Sequence, residues 1–302
     1  MTESQDDLEF GDARVEGSDK RELELHVAGH PVEVYDDEYS NRLRCDHPDV
    51  SDGRELGESL IQKAQDLGRN RVVLLAHERL ADDLTQTGMV LEATIPGFYG
   101  GDADCVVMGA ALDEARSGLG EPQQVQQIAE QVEAIQPLRR HAHVATERAC
   151  AEDAGEIAEL LGETFPQYPT PSHDPKYVEA QIEDGVPFRL IREEGKVITC
   201  ASADLVREAR TAELTYCATR PSARGRGLMQ AVLTDLMDDL RDMDYPTAFT
   251  LARATIPGVN LAFARLGFTY CGTMGQSCRI GSGIEDMNVF SVRLEEPVRA
   301  CA

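Results

Sequence analysis

Between Arg220 and Met229 the chain reads Arg-Pro-Ser-Ala-Arg-Gly-Arg-Gly-Leu-Met, the stretch whose residue types and spacing most clearly specify chemistry. A strand-like run, Thr211 to Thr219, leads into it. A helical run, Leu228 to Arg241, leaves it with Leu228, Val232, Leu233, Leu236 and Leu240 on one face. Exposed N–H groups at a helix start attract anions, glycine lets a phosphate come close, and guanidinium matches phosphate oxygens. Arg220, Arg224 and Arg226 supply that guanidinium charge. The spacing predicts a phosphate-bearing ligand at Arg224-Gly225-Arg226-Gly227, and a glycine turn with solvated arginines is the plainer alternative. The loop lacks the Gly-Lys-Ser/Thr ending of a nucleoside-triphosphate loop and the third glycine of a dinucleotide fingerprint.

The remaining reactive residue types are scattered. The 8 cysteines form no Cys-x-x-Cys pair, and no His/Cys/Asp grouping has metal-ligand spacing, so a metal is not expected. The cysteines read as small apolar side chains rather than disulfides. With 54 acidic and 29 basic residues the net charge is -25. That charge disfavours nucleic acid and anionic lipid as partners. The acidity is spread along the whole chain, as suits a salt-rich cytosol where self-repulsion is screened. No apolar run is long enough to span a membrane, and the acidic start is unlike a secretory signal, so the expected location is cytoplasmic.

The chain divides near residue 142. Residues 1–20 read as a disordered acidic tail, 21–136 as an α/β domain, 137–143 as a linker with Arg139-Arg140-His141, 144–296 as a second domain and 297–302 as a tail. The first domain alternates strands (Leu23 to Val27, Val32 to Tyr35, Arg71 to Ala76, Val90 to Ile95, Cys105 to Met108) with helices (Gly53 to Leu67, Arg79 to Thr87, then Pro122 to Ile135). The second begins with a helix, Asp153 to Gly162, and a proline-rich loop, Phe165 to Pro171. A hairpin follows at Phe188 to Leu205, then the Thr211 strand, the Leu228 helix, a strand Ala248 to Ala252 and a helix Asn260 to Leu266. Phe268 to Thr273 and Met287 to Leu294 close it. The fold class is α/β with a mixed sheet.

This element order, with Arg224 and Gly227 between strand and helix, resembles the GCN5-related N-acetyltransferase (GNAT) superfamily over roughly residues 144–295. There an Arg-x-x-Gly-x-Gly/Ala loop holds the coenzyme A pyrophosphate, although Met229 stands at the small last position. The segment Asn260 to Phe268 looks like the family's second motif. Phe263 stands where the family often has the tyrosine that protonates the leaving thiolate. The stretches Phe165-Pro-Gln-Tyr-Pro, Arg224-Gly-Arg-Gly-Leu-Met, Phe263-Ala-Arg-Leu-Gly-Phe and Ile284-Glu-Asp-Met-Asn-Val are similar to the β-lysine N-acetyltransferases within it. So is Ile95-Pro-Gly-Phe-Tyr-Gly-Gly-Asp in the first half.

The resemblance implies acetyl-CoA as donor and a small-molecule amine, β-lysine, as acceptor. Arg224, Gly225, Arg226, Gly227, Leu228 and Met229 would bind the coenzyme's phosphates, and the backbone of Cys217, Ala218 and Thr219 its pantetheine. Asn260 reads as a pantetheine contact or a helix N-cap. An amine of pKa about 10.4 must lose a proton before it attacks. Glu213, on the strand entering the loop, is the candidate base, with an ordinary salt bridge as the alternative. Tyr216 and Tyr270 are candidate proton donors or plain core tyrosines. Tyr168, Arg253, Glu285 and Asn288 are candidate acceptor contacts, each with a structural role as the alternative. The first half lacks the loop and reads as a degenerate acetyltransferase-like unit. A different amine or protein acceptor, a non-catalytic acyl-CoA sensor, and a monomer or a dimer all stay open.

Overall fold

The structure, a computed structural model, describes residues 20–137 and 144–294 apart from Gln167, Pro169 and Ser282. The expected tails and the Arg139-Arg140-His141 run therefore lie outside the described residues.

The first half contains β1 (Lys20–Val27), β2 (His30–Asp37), β3 (Arg42–Asp46), α1 (Gly53–Asp66), β4 (Arg71–His77), α2 (Ala81–Gln86), β5 (Val90–Tyr99), β6 (Ala103–Ala111) and α3 (Pro122–Glu133). The second contains β7 (Glu147–Arg148), α4 (Ala154–Thr164), α5 (Pro175–Glu183), β8 (Phe188–Glu193), β9 (Lys196–Val206) and β10 (Thr211–Thr219). It continues with α6 (Leu228–Asp242), β11 (Thr247–Arg253), α7 (Pro257–Arg265), β12 (Thr269–Ile280) and β13 (Gly283–Arg293). Among the described residues every strand belongs to one 13-stranded sheet ordered β1-β2-β3-β4-β6-β5-β12-β13-β11-β10-β9-β8-β7.

The order is an internal repeat. Outward from the β5–β12 pair it runs β5-β6-β4-β3-β2-β1 one way and β12-β13-β11-β10-β9-β8 the other. The β3–β4 and β10–β11 pairs are parallel, the other pairs antiparallel. Helix α1 follows β3 as α6 follows β10. The first half thus repeats the topology of the second, and β3 is its counterpart of β10.

Period-two alternation assigns the faces. Leu43, Cys45, Val72, Leu74, Val106 and Met108 pack beneath α1. Ala212, Leu214, Ala248, Ala252 and Phe290 pack with α6 and α7. The opposite residues of the same strands meet one another. Val73, Leu75, Ile95, Phe98 and Val107 form a single apolar cluster with Phe249, Met274, Met287 and Val289. The faces turned away from α1 in the first half and from α6 and α7 in the second therefore close on each other. Polar contacts seal the junction: Arg42 donates to the Ser277 carbonyl at 3.0 Å, Arg116 to the Gln276 carbonyl at 2.7 Å and Gly120 N–H to Asp286 at 3.0 Å. Helix α3, though it precedes the expected boundary, sends Ile128 and Val132 into the core beneath α6 and α7.

Three elements differ from expectation. β3 was not foreseen, because only two apolar residues in Arg42-Leu43-Arg44-Cys45-Asp46 mark its buried face. The β12–β13 hairpin extends past Thr273 through a Gly/Ser-rich stretch to a turn at Gly281. Helix α7 begins at Pro257, a favoured first helical position, rather than at Asn260.

Candidate active site

The loop after β10 places two glycines in the left-handed region, Gly225 and Gly227, each at φ 75°. Gly227 is the N-cap of α6 and no side chain caps that helix, so its first-turn N–H groups face outward. The repeat supplies a comparison. At the equivalent start of α1, Asp52 accepts from Glu55 N–H at 2.8 Å, so a carboxylate closes the place where a phosphate would sit. The arginines divide in their roles. Arg220 pairs with Glu163 and Arg226 with Glu193. Arg224 donates through Nε to the Thr219 carbonyl at 3.1 Å and has no carboxylate partner among the described residues. The expected cluster of three free cations is therefore one free guanidinium beside two exposed ion pairs.

β10 and β11 pair only from Thr211–Thr247 to Glu213–Phe249, and then diverge. Beyond Glu213 the β10 edge facing β11 lacks a strand partner among the described residues, which opens a cleft leading to the phosphate loop. A bulge against β9 lies between Thr215 and Ala218, and Tyr216 within it takes φ 49°. The bulge reverses the faces. Before it Leu214 packs beneath α6, and after it Tyr216 and Ala218 join the cluster around α4 and α5. Glu213, Thr215 and the Tyr216 ring consequently share one side of the sheet.

On that side Tyr216 is 3 % exposed. Its hydroxyl lies 2.8 Å from Thr170 Oγ1 and 3.3 Å from Tyr177 OH, and Tyr168 OH lies 3.5 Å from Thr215 Oγ1. Burial pushes the Tyr216 and Tyr168 phenols well above their usual range, so both keep their protons. The Cys217 thiol is pushed up to about 12, by burial first and then by the Glu213 carboxylate. A thiol held protonated is a poor nucleophile, which argues against a covalent cysteine intermediate. Glu213 is half-buried and pairs in register with Asp204 of β9.

The model of the acetyltransferase (GNAT) family matches residues 155–268. Over those residues the C-terminal half is similar to the GNAT acetyltransferases. Over 142 residues it is 38% identical to a β-lysine N(6)-acetyltransferase of Methanosarcina mazei, covering 47% of this chain and 52% of that one, about half the relative's length. It is 26% identical to N-acetyltransferase YodP of Bacillus subtilis, covering 85% and 94%. A solved GNAT phosphinothricin acetyltransferase of Sinorhizobium meliloti aligns with 52% of this chain and 94% of its own at 20% identity and a TM-score of 0.45.

Within the second half, the residues expected from sequence fall on two faces. Glu213, Tyr216 and Tyr168 share the side away from α6 and α7. Arg253 and Glu285 lie on that side too, joined at 2.5 Å, and Arg253 Nε is buried without an acceptor among the described residues. Asn288, Asn260 and Tyr270 lie on the other side. Asn260 is fully buried and donates to the carbonyls of Arg253 and Ile256 at 2.9 and 2.7 Å. It accepts from Asn288 at 2.8 Å and so is not the N-cap of α7. Tyr270 OH meets Thr273 at 2.6 Å, and Thr273 in turn donates to Asn288. This chain ties the end of β11 to α7 and β12. Phe263 is 1 % exposed and packs edge-on against Phe268. Sequence reasoning passed over Arg44 and Asp46, which β3 places on its side away from α1, toward the interior between the halves. Among the described residues no group of His, Cys, Asp and Glu is arranged to hold a metal, and no helix is long and apolar enough to cross a membrane.

The free guanidinium gives a direct expectation. Charge-assisted hydrogen bonds contribute roughly 1.5–3 kcal/mol, so Arg224→Gln should weaken acetyl-CoA binding by roughly 10- to 100-fold. Arg224 is exposed, so the melting temperature should hardly move. Titration calorimetry with acetyl-CoA checks the first and a thermal melt the second.

Proposed function

We propose that the protein transfers the acetyl group of acetyl-CoA to the ε-amine of β-lysine, forming the compatible solute Nε-acetyl-β-lysine. One observation carries the chemistry. A carboxylate, Glu213, stands on the closed side of the sheet where β10 leaves β11, on the strand that ends in the uncapped phosphate loop. In this reading the loop from Arg224 to Met229 holds the coenzyme's phosphates. Pantetheine lies along the unpaired edge from Cys217 to Thr219, and the thioester reaches Glu213.

Glu213 takes a proton from the ammonium, directly or through water. The neutral amine attacks the thioester carbonyl, the C–N bond forms, the C–S bond breaks and coenzyme A leaves as a thiolate that is then protonated. Tyr216 shares the face of Glu213 and is the better placed of the two candidate donors. Two supports favour β-lysine. One is the 38% identity over 142 residues to an enzyme named for it. The other is the net charge of -25, which suits a cytosol rich in salt, where such a solute would serve.

Free thiol is followed after mixing the protein with acetyl-CoA and β-lysine in molar KCl and in dilute buffer. Thiol release with β-lysine, faster in salt, with an Nε-acetyl product, is the expected outcome. Release only with other amines replaces the acceptor, and binding of acetyl-CoA without release under any condition points to an acyl-CoA sensor.

A further inference from the structure

The first half repeats the topology of the second without its phosphate loop. Its β3 occupies the position that β10 occupies in the second half. The faces away from α1 and from α6 and α7 close on one another, so equivalent strands look into the same interior. Arg44 and Asp46 lie on that side of β3, because Leu43 and Cys45 between and beside them are buried under α1.

Arg44 Nε donates to both oxygens of Asp46, at 2.9 and 2.7 Å. Its terminal Nη groups have no acceptor among the described residues. The pair keeps 19% and 26% side-chain exposure, so solvent reaches it. Tyr168 is half-buried too. Besides Asp46, the carboxylate acting on Arg44 is Glu213, and those acting on Tyr168 are Glu213 and Asp204. The strand that carries Glu213 and the strand that carries Arg44 thus face the same interior.

We propose that Arg44 and Asp46 recognise the far end of the acceptor, Arg44 taking a carboxylate through its Nη groups and Asp46 the ammonium next to it. The inference rests on the acetyltransferase reading and adds a substrate class: a zwitterionic amino acid with a second amine at the end of an aliphatic chain. A neighbouring cation and anion are the charge complement of neighbouring carboxylate and ammonium groups. The uncharged chain then spans towards Glu213, where the reacting amine loses its proton.

The experiment compares kcat/KM for β-lysine, for the diamine left when its carboxylate is removed, and for the ω-amino acid left when its β-amine is removed. Wild type should prefer β-lysine to both. Arg44→Gln should lower the value for β-lysine by roughly 10- to 100-fold, through KM, and bring it to the level of the diamine. Arg44→Lys, which keeps the charge and loses the fork, should fall between. Asp46→Asn should erase the preference over the ω-amino acid. A folded Arg44→Gln variant, by thermal melt, that still prefers β-lysine over the diamine as wild type does overturns the assignment and leaves the acetyltransferase reading standing. Loss of that preference in Arg253→Gln but not in Arg44→Gln also overturns it and moves the carboxylate to the Arg253–Glu285 pair. A wild-type protein that releases no thiol with any of these amines removes the acetyltransferase reading, and this inference with it.

Discussion

Glu213→Gln should lower kcat for amine acetylation by about 10²- to 10⁴-fold, the usual contribution of a positioned general base. The amide keeps the size of the side chain and its place opposite Asp204 but cannot hold the proton. An amine of pKa about 10.4 is neutral in only about one molecule in 10³ near neutral pH, so without a base the reaction draws on that fraction. The deficit should accordingly shrink as pH rises towards the amine's own pKa. Acetyl-CoA binding should persist, because the coenzyme loop begins beyond Thr219, on the far side of the bulge. Stopped-time thiol release across pH, with calorimetry of acetyl-CoA, reads both quantities. Undiminished turnover at neutral pH would remove Glu213 from the mechanism and leave its salt-bridge alternative.

What was legible in the sequence follows from where the signals are local. The glycines at 225 and 227 announce left-handed backbone, the Leu228 helix shows its apolar stripe, and the β10 strand shows its alternation, so the glycine loop and the strand position of Glu213 could be located without coordinates. The faces of the later residues could not. A bulge at Tyr216 shifts the alternation by one, so the ring turns to the side of Glu213 while the spacing alone would send it the other way. Asn288 and Met287 are neighbours on one strand, yet Asn288 is fully buried against Asn260 and Met287 belongs to the interior between the halves. Arg226 and Arg220 read as free cations until the fold brings Glu193 and Glu163 to them.

Arg44 was invisible for a different reason. The residues with which it would share an acceptor site come from the other half of the chain, and no local pattern records such a distance. The repeat that brings them together is carried by strand order, and only fragments of it, such as Thr87-Gly88-Met89 beside Leu266-Gly267-Phe268, survive in the residues.

The dependence of one half on the other gives the second large effect. A fragment of residues 144–302 should fail to fold as a soluble monomer and should not acetylate β-lysine. Removing the first half uncovers Phe249, Met274, Met287 and Val289, all within 6 % of complete burial in the intact chain. Burial of each such side chain is worth about 1.5–3 kcal/mol, so their exposure costs on the order of 10 kcal/mol, comparable to the whole stability of an ordinary domain. It also frees the edge of β12, whose Gly272 pairs with Ala93, and an exposed apolar edge invites aggregation. Loss of α3 removes Ile128 and Val132 from the core beneath α6 and α7 as well. A longer fragment from residue 118 restores α3 but neither the apolar cover nor Arg44. Sedimentation, circular dichroism and thiol release on both fragments decide the matter. If the longer fragment folds and binds acetyl-CoA yet leaves β-lysine unacetylated, the first half is needed for the acceptor as well as for cohesion. A soluble 144–302 fragment with full activity on β-lysine would show instead that the second half is self-sufficient and would leave β3 no part in the acceptor site.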